Sequence, residues 1–143
     1  MAKVSRTALV PYSPSQMYAL VNDIPAYPDF LPWCSAARVV ESGEDYIVAS
    51  VEIAYSGIRQ AFTTRNTLQE GEKIHMRLLE GPFRFLDGHW QFHSLGGEGC
   101  KVTLDLEFEF SSRLMSLTFG KMFNKIATTL IDAFVKRAQD VYG

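Results

Sequence analysis

Several absences narrow what this sequence can be. It has only two cysteines, Cys34 and Cys100, far apart and outside any CxxC pair, so both read as packed, reduced thiols rather than a disulfide or redox couple. No apolar run approaches the ~18 residues of a membrane span. The first residues, Met1-Ala2-Lys3-Val4-Ser5-Arg6, lack the apolar segment of a signal peptide, which makes the cytoplasm the expected location. Neither sign of charge predominates. With 14 basic and 16 acidic residues the formal charge is −2 and the pI near 5.9, which argues against a domain built to neutralise DNA phosphates.

Catalytic signatures are also missing. There is no G-x-S-x-G, no H-E-x-x-H and no phosphate-cradling glycine loop; Gly96-Gly97-Glu98-Gly99 lies between two strand patterns and reads as a hairpin turn. His89 and His93 share one strand face, with Gln91 between them, while Trp90 and Phe92 take the more apolar face and His75 falls on another strand. A solvent-facing pair lacking a third ligand argues against a metal site. Asp105, Glu107 and Glu109 also alternate outward, away from any buried acid–base role. The expectation is a non-enzymatic protein with no catalytic residues, metal or cofactor.

What is present is ordered apolar pattern. A length of 143 residues, 47% hydrophobic and 21% charged, suits one domain spanning residues 1–143 with a sizeable core. Arg6–Val10 reads as a strand. Ser13-Pro14-Ser15-Gln16 then supplies an N-cap serine, a proline at the first helical position and a glutamine three residues after the cap. That helix carries Met17, Leu20 and Val21 and stops near Asn22-Asp23; Pro25, Pro28 and Pro32 leave only a short helical turn and loop over Ile24–Trp33. From Ala37 to Phe110 the period is two, with strands around Ile47–Ile53, Ile58–Leu68, Ile74–Leu79, Leu86–His93 and Val102–Phe110.

The last thirty residues change period again. From Ser112 to Val141, Phe119, Met122, Phe123, Ile126, Leu130, Ala133, Phe134 and Val141 gather on one helical face. A helix of roughly 45 Å can cover such a stripe only against a broad, curved sheet. The fold class is therefore α+β, with a strongly bent antiparallel sheet and a long C-terminal helix.

The order of elements, together with Ser5-Arg6-Thr7-Ala8-Leu9-Val10-Pro11-Tyr12-Ser13, Leu20-Val21-Asn22-Asp23, Tyr27-Pro28-Asp29-Phe30-Leu31-Pro32, Phe62-Thr63-Thr64-Arg65-Asn66, Gly81-Pro82-Phe83, Phe108-Glu109-Phe110 and Phe119-Gly120, resembles the START-superfamily branch (SRPBCC, polyketide cyclase-like). That branch holds the coenzyme Q-binding proteins and the bacterial ribosome association toxins, and the spacing here is most similar to the toxin-type members. The match covers nearly the whole chain. It implies a helix-grip fold enclosing a hydrophobic cavity, and ligands of the polyprenyl quinone class such as ubiquinone. It also implies a second behaviour, binding the large ribosomal subunit and blocking subunit association.

These implications select candidate residues. By residue type alone the aromatic and methionine stripe reads as close-packed core; the resemblance makes it cavity lining. The lining set is Phe62, Trp90 and Phe108 from strands and Phe119, Met122, Phe123, Ile126, Leu130 and Phe134 from the helix, where apolar burial at ~25 cal/mol per Å² would hold an isoprenoid tail. Arg137, mid-face on the helix, with Arg65 and Asn66 in a central strand, are candidate donors to a quinone ring; a helix-end cation and a solvent-facing arginine are the ordinary readings. Tyr27, Phe30 and Trp33 in one apolar loop and Phe83 in a second, over Gly81–Leu86, are candidate entrance residues, serving as a gate or membrane-touching tip, or else folding inward as plugs.

The expected function is thus a quinone-binding protein supporting respiratory electron transport, cytoplasmic with transient contact at the inner membrane. The alternative is a toxin of the large ribosomal subunit that inhibits translation. For that alternative the candidate cations are Arg113, Lys121, Lys125 and Lys136 on the terminal helix, with Arg38, Arg59 and Arg84; a merely solvated helix face is the plainer account of them.

Overall fold

The computed structural model describes residues 2–97 and 99–143; Met1 and Glu98, the latter part of the expected glycine turn, lie outside the described residues. Strand β1 (Ala2–Val10) leads into helix α1 (Pro14–Asn22), a 3-10 turn (Ile24–Ala26) and the single-turn helix α2 (Tyr27–Phe30). Six strands follow, β2 (Cys34–Ser42), β3 (Tyr46–Tyr55), β4 (Ile58–Gln69), β5 (Lys73–Glu80), β6 (Phe83–Ser94) and β7 (Cys100–Phe110), before helix α3 (Arg113–Tyr142). The sheet order is β1-β7-β6-β5-β4-β3-β2, antiparallel throughout. This is the helix-grip arrangement, with α3 lying against β1 and β7.

Local chemistry explains the boundaries. The Gln16 backbone N–H donates to Ser13 Oγ at 3.1 Å and the Ser13 N–H donates to Gln16 Oε1 at 2.8 Å, a complete capping box with Pro14 in the first turn. Ser112 caps α3 by accepting from the Met115 N–H at 3.0 Å. Register shifts between Cys34 and Ala36, Val39 and Glu41, Thr63 and Thr64, and Phe83 and Phe85 insert bulges, which bend and twist the sheet around the helix.

Two expectations need correction. The segment Gly81–Leu86 is not an apolar loop: the turn is confined to Gly81, whose φ of 152° suits glycine alone, and Pro82, and Phe83 is already a buried strand residue paired with Phe110. The buried face of α3 also differs. Phe119, Phe123, Ile126, Ala127, Ile131, Phe134 and Ala138 are buried, whereas Val141 is exposed. At 100° per residue this face is turned by about 50° from the stripe of largest side chains. Ala127 and Ala138 are small enough for the sheet to approach, so the helix rolls onto them and leaves Met122 and Ala133 on its flank.

Candidate functional site

Three apolar clusters meet under α3. One, around Trp90, Phe92, Leu104 and Phe134, packs beneath α1; a second gathers Phe83, Phe108, Phe119 and Phe123; a third joins Ile24, Ile47 and Ala49. Bulk is concentrated at the two ends. At one, Phe83, Phe108, Phe110, Phe119 and Phe123 form a continuous aromatic cluster with centroids as close as 4.8 Å; at the other, Phe134 stacks edge-on to Trp90, Tyr27 and Phe30 at 5.4–5.5 Å. Between them the residues are smaller, notably Ala49 and Ala127, and an internal cavity of about 80 Å³ remains.

The cavity brings together Phe62, Trp90, Phe123, Ile126 and Leu130 of the expected lining, and Tyr27 and Trp33 of the expected entrance. Phe108, Phe119 and Phe134 do not line it; they are buried in the clusters that close its ends. Phe83 is likewise packed into the aromatic cluster, and Phe30 packs behind Tyr27 against Phe134. Arg137 is absent from the wall. Because α3 is rolled, this side chain sits on the flank of the buried face, its guanidinium 4.8 Å from the Phe30 ring centroid and its Nε buried without a hydrogen-bond partner.

Other wall residues follow from strand alternation. Phe62, Thr64 and Asn66 share the inner face of β4, as Leu86 and Trp90 do on β6 and Leu106 on β7, so period two carried the signal for them. Ala49 and Met76 follow from the same alternation on β3 and β5, whereas Ala127 was not foreseeable, since it lines the cavity only because the helix is rolled. Thr64 and Asn66 are buried, with Thr64 Oγ1 donating to Asn66 Oδ1 at 2.7 Å, and the Asn66 amide N–H is the donor that this wall offers a ligand carbonyl. Arg65 points the other way and lies 3.9 Å above the Tyr46 ring.

A second depression adjoins the first from outside. Leu31, Pro32, Trp33, Tyr55, Met122, Lys125, Ile126, Thr129 and Ala133 form a groove of about 350 Å³. Trp33 and Ile126 belong to both walls, so these two side chains are the partition between the groove and the internal cavity. The remaining functional groups nearby are quiet. Burial pushes the Cys34 thiol up to about 11 and raises that of Cys100, and both are free, so neither is a thiolate nucleophile near neutrality. Burial also holds the Tyr27 hydroxyl, which donates to the Val21 carbonyl, far above the ordinary tyrosine value.

The outer face of α3 is cationic. Helix α3 carries five basic residues against two acidic ones, Asp132 and Asp140, in a chain of net charge −2. Arg113, Lys121, Lys125 and Lys136 are exposed, and among the described residues none forms an ion pair. Arg59 and Arg84, by contrast, are engaged by Glu52 and Glu109 at 3.4 and 3.3 Å. Leu114 and Leu117, 70% and 73% exposed, extend the same helix surface with apolar contact area. No helix among the described residues is long and apolar enough to cross a membrane.

Similarity to known proteins agrees with this architecture. A protein of Vibrio cholerae named "Ribosome association toxin RatA" is 50% identical over 143 residues, covering 100% of this chain and 99% of that protein; one of the same name from Escherichia coli K12 is 46% identical, covering 100% and 90%. A Xenopus laevis "Coenzyme Q-binding protein COQ10 homolog B, mitochondrial" is 27% identical, covering 97% of this chain and 59% of that one. Among solved structures, an 18 kDa protein of Caulobacter crescentus superposes with a TM-score of 0.77 at 32% identity, covering 100% and 99% of the two chains. A START superfamily protein of Mycobacterium smegmatis superposes at 0.81 and 19% identity, covering 97% and 98%. Residues 10–135 match the family described as "Polyketide cyclase / dehydrase and lipid transport". By that match, and by full-length relatives at 46–50% identity, the chain belongs to this START-like family, in the branch of the proteins named ribosome association toxin.

Proposed function

We propose that this protein is a non-catalytic ribosome association toxin that binds the large ribosomal subunit and blocks its joining to the small one. The observation that carries the reading is identity of 50% along the whole chain to a protein of that name, against 27% to the coenzyme Q-binding relative. The physical support is the outer face of α3. Four exposed cations without ion-pair partners among the described residues, spread over ~35 Å of helix and interrupted by Asp132, present positive charge to a phosphate-bearing surface, while Leu114 and Leu117 add apolar contact. Displacing condensed counterions from rRNA would supply the affinity and make it steeply salt-dependent.

The cavity weighs in the same direction. At about 80 Å³ it is well below the ~300–1,000 Å³ of a small-molecule site, so a quinone ring and tail do not fit while Trp33 and Ile126 hold the partition closed. Lipid binding is a second reading, favoured by one specific feature: an otherwise apolar wall holding the single polar pair Thr64–Asn66, next to a groove that the partition alone separates from it. Displacement of Trp33 would join the two spaces into one of ligand size.

Co-sedimentation separates the readings. The protein should travel with purified large subunits, and not with small ones, in a sucrose gradient at low salt. A protein that stays at the top of the gradient, and yields quinone on solvent extraction, would reverse the order of the two.

A further inference from the structure

The outer surface of the sheet carries a cluster unrelated to the cavity or to α3. The β5–β6 register sets His75 directly opposite His89, and Asp87 lies two residues before His89 on the same outward face. The two imidazoles stack with centroids 4.1 Å apart and planes at 11°. The Asp87 carboxylate stands 3.1 Å from His75 Nε2 and 3.1 Å from His89 Nε2. All three ligand atoms fall within 4.8 Å of one another, and the side chains are 31–48% exposed. The third ligand that His89 lacks along its own strand is therefore supplied across the ladder, by His75 rather than by His93.

We propose that His75, Asp87 and His89 form a Zn²⁺ site. Around a tetrahedral zinc with Zn–N and Zn–O near 2.0–2.1 Å, ligand atoms sit ~3.3 Å apart, a few tenths of an ångström from the two His–Asp separations present. Two imidazoles and one carboxylate suit zinc in preference to the hard, oxygen-seeking Ca²⁺ and Mg²⁺. The rings must fan open from their parallel stack so that both Nε2 lone pairs converge, with each ring proton moving to Nδ1. Both rings are part-exposed, so no core packing is disturbed. The carboxylate that now accepts from both rings becomes the third ligand, and water completes the shell. The charges named around the cluster are on balance negative: Arg77 faces Asp87 across β5, while Asp105 and Glu107 stand opposite His89 and Asp87 on β7.

The position gives the metal a structural consequence. Pairing between β5 and β6 covers only Lys73–Arg77 with Gln91–Asp87; past that rung the strands part, β5 staying with β4 as β6 continues along β7. The cluster stands at this fork. On the adjoining rungs, Met76↔Gly88 and Ile74↔Trp90, Met76 and Trp90 face the other side of the sheet and line the cavity. A zinc ion bridging His75 to Asp87 and His89 would clamp the two strands at the place where the ladder ends.

The test is titration of chelator-treated full-length protein with Zn²⁺ by calorimetry, alongside the variants His75→Gln, His89→Gln and, as a control on the same face of β6, His93→Gln. One equivalent should bind at micromolar zinc. Each of the first two substitutions should weaken binding by ~10-fold or more, and His93→Gln should leave it within twofold. Zinc should also raise the midpoint of thermal unfolding of the wild type and of His93→Gln, and fail to do so for His75→Gln; all variants should match the wild type in their circular dichroism without metal. Binding only at millimolar zinc, stoichiometry without a defined end, or equal weakening by His93→Gln would overturn the assignment.

Discussion

The substitution Ile126→Ala probes the partition that distinguishes the two readings. Ile126 is buried on α3 and touches both the internal cavity and the outer groove. Removing three side-chain carbons at ~0.8 kcal/mol each costs about 2.4 kcal/mol of transfer free energy. The further cavity penalty that takes core Ile→Ala changes toward ~5 kcal/mol should be small, because the side chain already borders space on two sides. The expected loss is therefore ~2–3 kcal/mol, a fall of roughly 5–10 °C in the thermal midpoint for a domain of this size. At the same time the groove and cavity should merge, so binding of an apolar fluorescent probe should rise. Phe119→Ala is the comparison. Phe119 is completely buried and lines neither space, so it should cost ~3–5 kcal/mol and open only an enclosed void, with no gain of probe binding. Urea denaturation and probe titration on both variants read the two quantities separately. A loss below ~1 kcal/mol for Ile126→Ala, or equal probe uptake by the two variants, would refute the partition.

Other consequences can be checked independently. The capping box predicts that Ser13→Ala destabilises the fold by ~1 kcal/mol in urea melts, with little change in the denaturant slope. The two tryptophans should report separately: Trp90 is 2% exposed and shielded from acrylamide, while part-exposed Trp33 is quenched, and a bound lipid should protect Trp33. Burial raises the Cys34 thiol from 9.0 to about 11, so the unfolded chain loses this proton first and stability falls as pH rises between those values; Cys34→Ala should show a shallower decline over that window. Each of Lys121→Gln and Lys125→Gln should weaken large-subunit binding and reduce the slope of log affinity against log salt by ~1.

Elements written in local chemistry were legible in the sequence. Ser13-Pro14-Ser15-Gln16 specified the start of α1, the prolines at 25, 28 and 32 limited what followed, and period-two patterning located the strands. The site was legible where a residue's face followed from the period of its own element, as for Phe62 and Trp90 on strands and Phe123, Ile126 and Leu130 on the helix. The roll of α3 was not, because it depends on how closely Ala127 and Ala138 let the sheet approach, which is a property of the packed pair rather than of the helix. That roll moved Arg137 away from the wall and Met122 into the groove. The His75–His89 contact was hidden for a related reason: strand register across β5 and β6 is set by long-range pairing, and neither strand alone shows which histidines meet.

The most direct test of the central claim is subunit joining followed by light scattering. Purified small and large subunits are mixed in the presence of the wild-type protein or of a variant carrying Lys121→Glu, Lys125→Glu and Lys136→Glu. These side chains are exposed and without ion-pair partners among the described residues, so the variant should fold normally. The account predicts that wild-type protein suppresses the scattering rise when present in stoichiometric excess over large subunits, and that the variant requires at least tenfold more. Unimpeded joining at saturating wild-type protein would contradict it.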